Sequence, residues 1–74
     1  MDLKDIVAAN VRHWRHERDM TQEELAGNVG LSFRYIGSVE RGQASPSVTV
    51  LGKLAEALGV EPSVLVTKRK RSGT

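Results

Sequence analysis

Two arginines and a serine have the spacing of one face of a helix. Arg34, Ser38 and Arg41 are four and three residues apart, and Ile36 and Val39 between them form the apolar side of the same segment. An exposed arginine can donate two hydrogen bonds to O6 and N7 of a guanine, which contributes about 1–3 kcal/mol of discrimination between bases. The pattern therefore favours contact with duplex DNA, and its alternative is a solvated charged face.

The rest of the sequence offers no comparable chemistry for a metal or a reaction. His13 and His16 are three residues apart and Glu17 follows them, but two ligands on a solvated helix without a third make a poor metal site. The chain contains no cysteine, and it has no glycine-rich phosphate loop and no nucleophile elbow. We therefore expect neither an enzyme nor a bound metal or cofactor.

Capping signals predict five helices and no strand. Asp2 is placed to cap the first helix, a capping box runs from Thr21 to Glu24, and Pro62 suits a first helical position. Glycines follow the second, third and fourth helices, where a left-handed turn is expected. The predicted helices run from about Leu3 to Arg18, from Thr21 to Val29, from Ser32 to Glu40, from about Ser47 to Leu58, and briefly from Pro62.

The second and third helices have the pattern of a helix-turn-helix, over about residues 21–41. They are joined through Gly30 with almost no loop, so they must cross at a large angle. Ala26 lies one turn before Gly30, where a bulky side chain would force the helices apart. Gln22, at the start of the second helix, could bring its side chain and the positive helix end to a phosphate.

Length and charge limit the architecture. With 74 residues the chain forms one small domain, which buries only roughly 60% of its unfolded surface. Four of the eleven basic residues lie at positions 68–71, so residues 1–67 have seven basic and nine acidic groups. We predict a domain over residues 1–67 and a flexible basic tail over 68–74, which would be solvated or would contact phosphates non-specifically. No apolar run is long enough to span a membrane, and we expect a cytoplasmic protein.

The sequence resembles the Cro/C1-type (XRE) helix-turn-helix family over roughly residues 6–66. The resemblance implies an all-α, five-helix domain of the lambda-repressor type, which binds duplex DNA with the helix at about 32–41 in the major groove. The stretches 34–36 and 40–42 are also similar to controller proteins of restriction-modification systems. The residues that carry the family resemblance are Thr21-Gln22-Glu23-Glu24-Leu25-Ala26, Gly30, Ile36, Glu40-Arg41-Gly42, Pro46, Leu51 and Ala55-Glu56-Ala57-Leu58-Gly59-Val60.

The resemblance also assigns roles to individual positions. Arg15 and Glu40 match a pair that forms an ion pair between the first and third helices in relatives. The positions that match base-facing residues are Phe33, Arg34, Tyr35, Gly37 and Ser38, and those that match phosphate-contacting residues are Gln22, Ser32 and Arg41.

One short recognition helix reads few base pairs, so we expect a homodimer on a two-fold operator, with two such helices about 34 Å apart. We predict that the apolar fifth helix supplies the dimer contact. The residues of this predicted interface are Val60, Val64, Leu65 and Val66. The competing hypothesis is a module whose main partner is a protein, such as an antitoxin or a bridging factor. An outward stripe of arginines would have no role in such a module.

Overall fold

The computed structural model describes residues 2–69. Within that range the chain forms five α-helices and no strand, which confirms the predicted all-α fold. Met1 and residues 70–74 lie outside the described residues, so the predicted tail is described only at Lys68 and Arg69. The helices are α1 (Leu3–Glu17), α2 (Gln22–Val29), α3 (Phe33–Glu40), α4 (Val48–Leu58) and α5 (Pro62–Leu65).

Side-chain caps fix where four of these helices begin. The Asp2 carboxylate accepts a hydrogen bond from the Lys4 amide at 3.2 Å, and the hydroxyls of Ser32 and Ser47 accept from amides in the first turns of α3 and α4. Thr21 and Glu24 form the predicted capping box with reciprocal bonds of 3.0 and 2.8 Å. Each cap satisfies an amide that the helix itself leaves free. The predicted end of the first helix was one residue too long, because Arg18 is its C-cap.

The turn between α2 and α3 is as tight as the sequence predicts. Gly30 adopts a left-handed backbone with φ 73°, and the amide of Leu31 donates to the carbonyl of Ala26 at 3.0 Å. Ala26 is buried where the two helices meet. The chain therefore passes from α2 to α3 through only three residues, 30–32.

All five helices contribute to one apolar core. Leu65 of α5 is completely buried in it, so the prediction that Leu65 forms part of a dimer contact is wrong. Its side chain already fills the space between α5 and the other helices, whereas Val60, Val64 and Val66 are half-buried. The buried apolar residues are Val7, Ala8, Val11, Leu25, Ala26, Val29, Ile36, Val39, Leu54, Ala55, Leu58 and Leu65.

Asn10 ties α5 to α1 through polar contacts that the sequence did not reveal. This buried side chain donates from Nδ2 toward three carbonyl oxygens, those of Val64 (3.1 Å), Leu65 (3.0 Å) and Thr67 (2.9 Å). They are carbonyls at the end of α5, where the helix leaves acceptors unpaired. The amide therefore closes the C-terminal end of a helix that has only four residues.

A buried ion pair ties α1 to α3. Arg15 donates from Nε to one carboxylate oxygen of Glu40 at 2.6 Å and from Nη2 to the other at 3.0 Å. The side chains are only 12% and 4% exposed. Arg15 Nη1 also donates to the carbonyl of Met20, and Arg12 donates to the backbone carbonyl of Glu40. The end of α3 is therefore held by two arginines of α1.

Among residues 2–69, no helix combines the length and the apolar composition that crossing a lipid bilayer requires.

Replacing Asn10 with aspartate keeps the shape of the side chain and removes its donors. We expect Asn10→Asp to lower the free energy of unfolding by about 3 kcal/mol or more, because a buried carboxylate would face unpaired carbonyls. Urea unfolding followed by circular dichroism measures the change. The control is Asn28→Asp at an exposed position of α2, which should change stability by less than about 1 kcal/mol. Equal losses in the two variants would contradict this role of Asn10.

The buried pair gives a second prediction for stability. Glu40→Gln leaves the Arg15 guanidinium without its counter-charge, and breaking a buried pair on one side destabilises by about 3–5 kcal/mol. Glu23→Gln, at an exposed position of α2, should change the free energy of unfolding by no more than about 0.5 kcal/mol. The two variants should be compared by thermal and urea unfolding. Similar stabilities for both would show that the Arg15–Glu40 pair does not hold α3 in place.

Candidate nucleic-acid interface

The α3 helix has a buried apolar side and an exposed charged side, as the sequence predicts. Ile36 and Val39 are completely buried, and Arg34 lies exposed on the other side of the helix. Ser38 is half-buried and Arg41 is exposed. We call Arg34, Gly37, Ser38 and Arg41 the outward face, because their spacing of three, one and three residues aligns them along one side.

Gly37, which matches a base-facing position of the family, is not open to solvent. It is buried although it belongs to the outward face, because the guanidinium of Arg41 lies over it. A Cβ added at Gly37 would stand 3.0 Å from Arg41 Nη1. Nε of the same arginine donates to Oε1 of Gln43 at 3.2 Å. In this structure the guanidinium of Arg41 therefore covers the Gly37 backbone. Sequence reasoning missed Gln43, and its nearness in the chain to Arg41 was the only signal.

The two aromatic residues at the start of α3 have different environments. Phe33 is 52% exposed, which is high for a large apolar side chain, whereas Tyr35 is half-buried and packs against the core. Phe33 lines an open depression between α1, α2 and α3 together with Thr21 and Gln22. A base-facing role is thus sterically open to Phe33, while Tyr35 also serves the packing of the domain.

Gln22 lies at the first residue of α2, but its amide is already engaged. Nε2 donates to Oε1 of Glu40 at 2.9 Å, so the carboxylate that binds Arg15 also positions Gln22. An amide nitrogen carries two hydrogens, and the second remains for an acceptor such as a phosphate oxygen. Ser32 is similar, because its hydroxyl accepts from the Tyr35 amide and keeps its own hydrogen to donate.

The charge around the outward face is positive at both ends. Arg34 lies in the first turn of α3 and Arg41 follows its last residue, and both are exposed. The carboxylate between the helices, that of Glu40, is paired with Arg15. The outward face therefore has exposed cations at both ends, even though residues 1–67 have more acidic than basic groups.

A separate surface is apolar and exposed. Val48, the first residue of α4, is 87% exposed and Leu3 is 55% exposed. They line a groove of about 310 Å³ together with the half-buried residues Leu51 and Val66. We call Leu3, Val48, Leu51 and Val66 the apolar patch. Only Val66 was predicted at an interface, although Val48, three residues before Leu51, continues the apolar side of α4.

Comparison with known proteins agrees with the fold and with the family that the sequence resembles. A sequence family described as "Helix-turn-helix" matches residues 11–65. An HTH-type transcriptional regulator of Sinorhizobium fredii, y4dJ, is 43% identical over 67 residues, covering 90% of this chain and 87% of that protein. The control protein C.SmaI of Serratia marcescens is 42% identical over 69 residues, covering 93% and 82%.

A solved structure gives the same result. The restriction-modification controller protein C.AhdI of Aeromonas hydrophila superposes with a TM-score of 0.81 at 39% sequence identity, covering 84% of this chain and 94% of that one. The fold, the helix-turn-helix at its predicted place and these relatives lead to one conclusion. The chain belongs to the Cro/C1-type (XRE) helix-turn-helix family, and it is a DNA-binding transcriptional regulator.

Proposed function

We propose that this regulator binds a two-fold DNA operator as a homodimer and represses or autoregulates transcription from it. The observation that carries the proposal is the outward face, in which Arg34 and Arg41 lie on the side of α3 opposite the buried Ile36 and Val39. A helix of this width fits the major groove, where each base pair presents a distinct pattern of donors and acceptors. A dimer bound across the operator would occlude the transcription machinery.

The proposed division of labour follows from what each side chain can still donate. The Arg34 side chain has no hydrogen-bond or ion-pair partner among residues 2–69, so its guanidinium can donate two hydrogen bonds to a guanine. The neighbouring side chains that would contact base edges are those of Phe33, Tyr35 and Ser38. Gln22, Ser32 and Arg41 keep donors for phosphate oxygens, which set the register of the protein on the duplex. Because Gly37 is covered, we assign it no direct base contact.

The dimer contact is proposed at the apolar patch. A side chain such as Val48, exposed at 87%, loses water-accessible apolar surface when a second copy covers it, and burial of such surface stabilises association. The patch includes Val66 and lies at the start of α4, which follows α3 after a short loop. The proposal requires that a two-fold axis through this patch brings two copies of α3 to the same side of the dimer. The half-buried Val60 and Val64, which were also predicted at the interface, remain part of the proposed contact.

Removal of Arg34 tests base recognition. We expect Arg34→Ala to weaken binding to the selected operator by about tenfold to a hundredfold, since a bidentate arginine contributes about 1–3 kcal/mol. The free energy of unfolding should change by no more than about 0.5 kcal/mol, because the side chain is exposed. The operator is obtained by selecting bound duplexes from a random library at near-physiological salt and sequencing them.

The matched control is Lys53→Ala, which removes one exposed positive charge from α4. It should change affinity much less than Arg34→Ala does. An inverted repeat that loses a base preference in the Arg34 variant supports the proposal. No enrichment of any sequence, with salt-sensitive binding alone, would overturn it and favour a protein partner.

A charge placed in the apolar patch tests the dimer. We expect Val48→Glu to be monomeric at protein concentrations where the unmodified chain is dimeric, because two like charges would meet across the two-fold axis. Affinity for the inverted repeat should fall at least tenfold, as each half-site would be bound separately. Sedimentation equilibrium and DNA binding are the measurements.

Thr49→Glu is the control for this prediction, because it adds the same charge at the next, also exposed, position of α4. It should remain a dimer. If Val48→Glu dimerises as well as Thr49→Glu does, the contact lies elsewhere. A wild-type protein that stays monomeric even on DNA would exclude a homodimer altogether.

A further inference from the structure

Gly37 leaves a gap in the middle of the outward face, and Arg41 fills it. A Cβ built at Gly37 would lie 3.0 Å from Nη1 of Arg41, 3.8 Å from its Cζ and 3.9 Å from its Nη2. Any side chain longer than a hydrogen would compete with the guanidinium for this space. A glycine inside a helix is unfavourable relative to alanine. At Gly37, unlike at Gly27 in α2, the space that a side chain would take is occupied by another residue.

Gln43 holds the other side of the same guanidinium. Its Oε1 accepts from Arg41 Nε at 3.2 Å. The backbone of Gln43 is itself fixed, since its amide donates to the carbonyl of Ser38 at 2.9 Å and the next amide, that of Ala44, donates to the same carbonyl at 3.3 Å. The loop after α3 therefore folds back on the helix and places an acceptor beside the arginine.

These contacts leave the outer part of the guanidinium available. Arginine has five N–H donors, and only the one on Nε has an acceptor among residues 2–69. The four hydrogens on Nη1 and Nη2 can therefore donate to an incoming anion. Ordering a flexible side chain during binding lowers affinity by roughly twofold to tenfold, and an arginine that is already ordered avoids that loss.

We propose that Gly37 and Gln43 are positioning residues for Arg41: they seat its guanidinium against α3 in the free protein so that both amino groups meet a DNA phosphate without prior ordering. The proposal rests on the proposed function, because it requires that α3 enters DNA. In this proposal the role of Gly37 is to leave space for the Arg41 guanidinium, and not to let its own backbone approach a DNA base closely. It also gives a role in DNA binding to Gln43, which lies outside the helix-turn-helix.

The test disrupts separately the two features that position the Arg41 guanidinium, the open space at Gly37 and the acceptor on Gln43. Gly37→Leu fills the gap, and Gln43→Ala removes the acceptor. We expect each variant to bind the selected operator about threefold to tenfold more weakly, and Arg41→Ala to bind at least as weakly and to lower the slope of log affinity against log salt by about 0.9. In the Arg41→Ala background neither change should have a further effect, because both act only through that side chain.

The matched control for the glycine is Gly27→Leu. Gly27 is an exposed residue inside α2, and nothing lies within 4 Å of where its Cβ would stand. Both leucine variants should raise the melting temperature, since leucine favours helix more than glycine does. Only Gly37→Leu should lose affinity, which separates positioning from stability. Nitrogen-15 relaxation of the Arg41 Nε–H in the free protein should show an ordered side chain that becomes mobile in Gln43→Ala and Gly37→Leu.

The outcomes that would overturn the proposal differ from those that would overturn the proposed function. Full DNA affinity in Gly37→Leu, or a mobile Arg41 side chain in the unmodified protein, would show that Gly37 and Gln43 do not position Arg41 for binding. A further loss when Gly37→Leu is added to Arg41→Ala would show that Gly37 itself meets the DNA. If Arg41→Ala has no effect while Arg34→Ala still abolishes selectivity, the regulator reads DNA without Arg41 and only this inference fails.

Discussion

The buried carboxylate of Glu40 is the constraint on which the DNA-facing side of the molecule depends. It accepts two hydrogen bonds from Arg15 of α1 and one from Gln22 of α2, and it is the last residue of α3. One group therefore fixes three helices relative to each other. Burying a charge in this way adds little net stability, because the lost hydration roughly offsets the attraction. Its effect is on geometry: α3 cannot rotate about its axis without breaking the bonds at Glu40, so the outward face keeps one direction.

A second polar contact closes the opposite side of the domain. α5 has four residues, too few to be stable alone, and it leaves carbonyls without partners at its end. Asn10 supplies the donors while Leu65 supplies the apolar contact, so α5 is attached to α1 by both kinds of interaction. α1 thereby contacts α3 through Arg15 and α5 through Asn10. The position of the recognition helix and the shape of the apolar patch both depend on the placement of α1.

The sequence predicted what local interactions determine. The caps at Asp2 and Thr21 and the turn at Gly30 depend on neighbours in the chain, and the structure has them where they were expected. The Arg15–Glu40 pair came from the family resemblance, and the two residues do form an ion pair. The misplaced contacts join residues far apart in sequence or depend on which rotamer a long side chain adopts. Leu65 was predicted at a surface because an apolar residue in a short helix can face the core or a partner. The cover over Gly37 depends on where Arg41 lies, which its spacing alone does not fix.

The size of α3 makes symmetry the decisive step from contact to specificity. A regulator must bind its operator more tightly than random DNA by about 4–10 kcal/mol. α3 has eight residues, and in the proposed complex one arginine of its first turn, Arg34, would contact the bases. One bidentate contact between arginine and guanine contributes about 1–3 kcal/mol of discrimination between bases, and contacts by the polar and aromatic neighbours would add smaller amounts. One domain therefore falls near or below the lower limit, whereas two identical domains held at a fixed spacing add their discriminations on one operator. The proposed roles of the apolar patch and the outward face therefore depend on each other, because a helix this short would gain the required discrimination when a second copy reads the same sequence beside it.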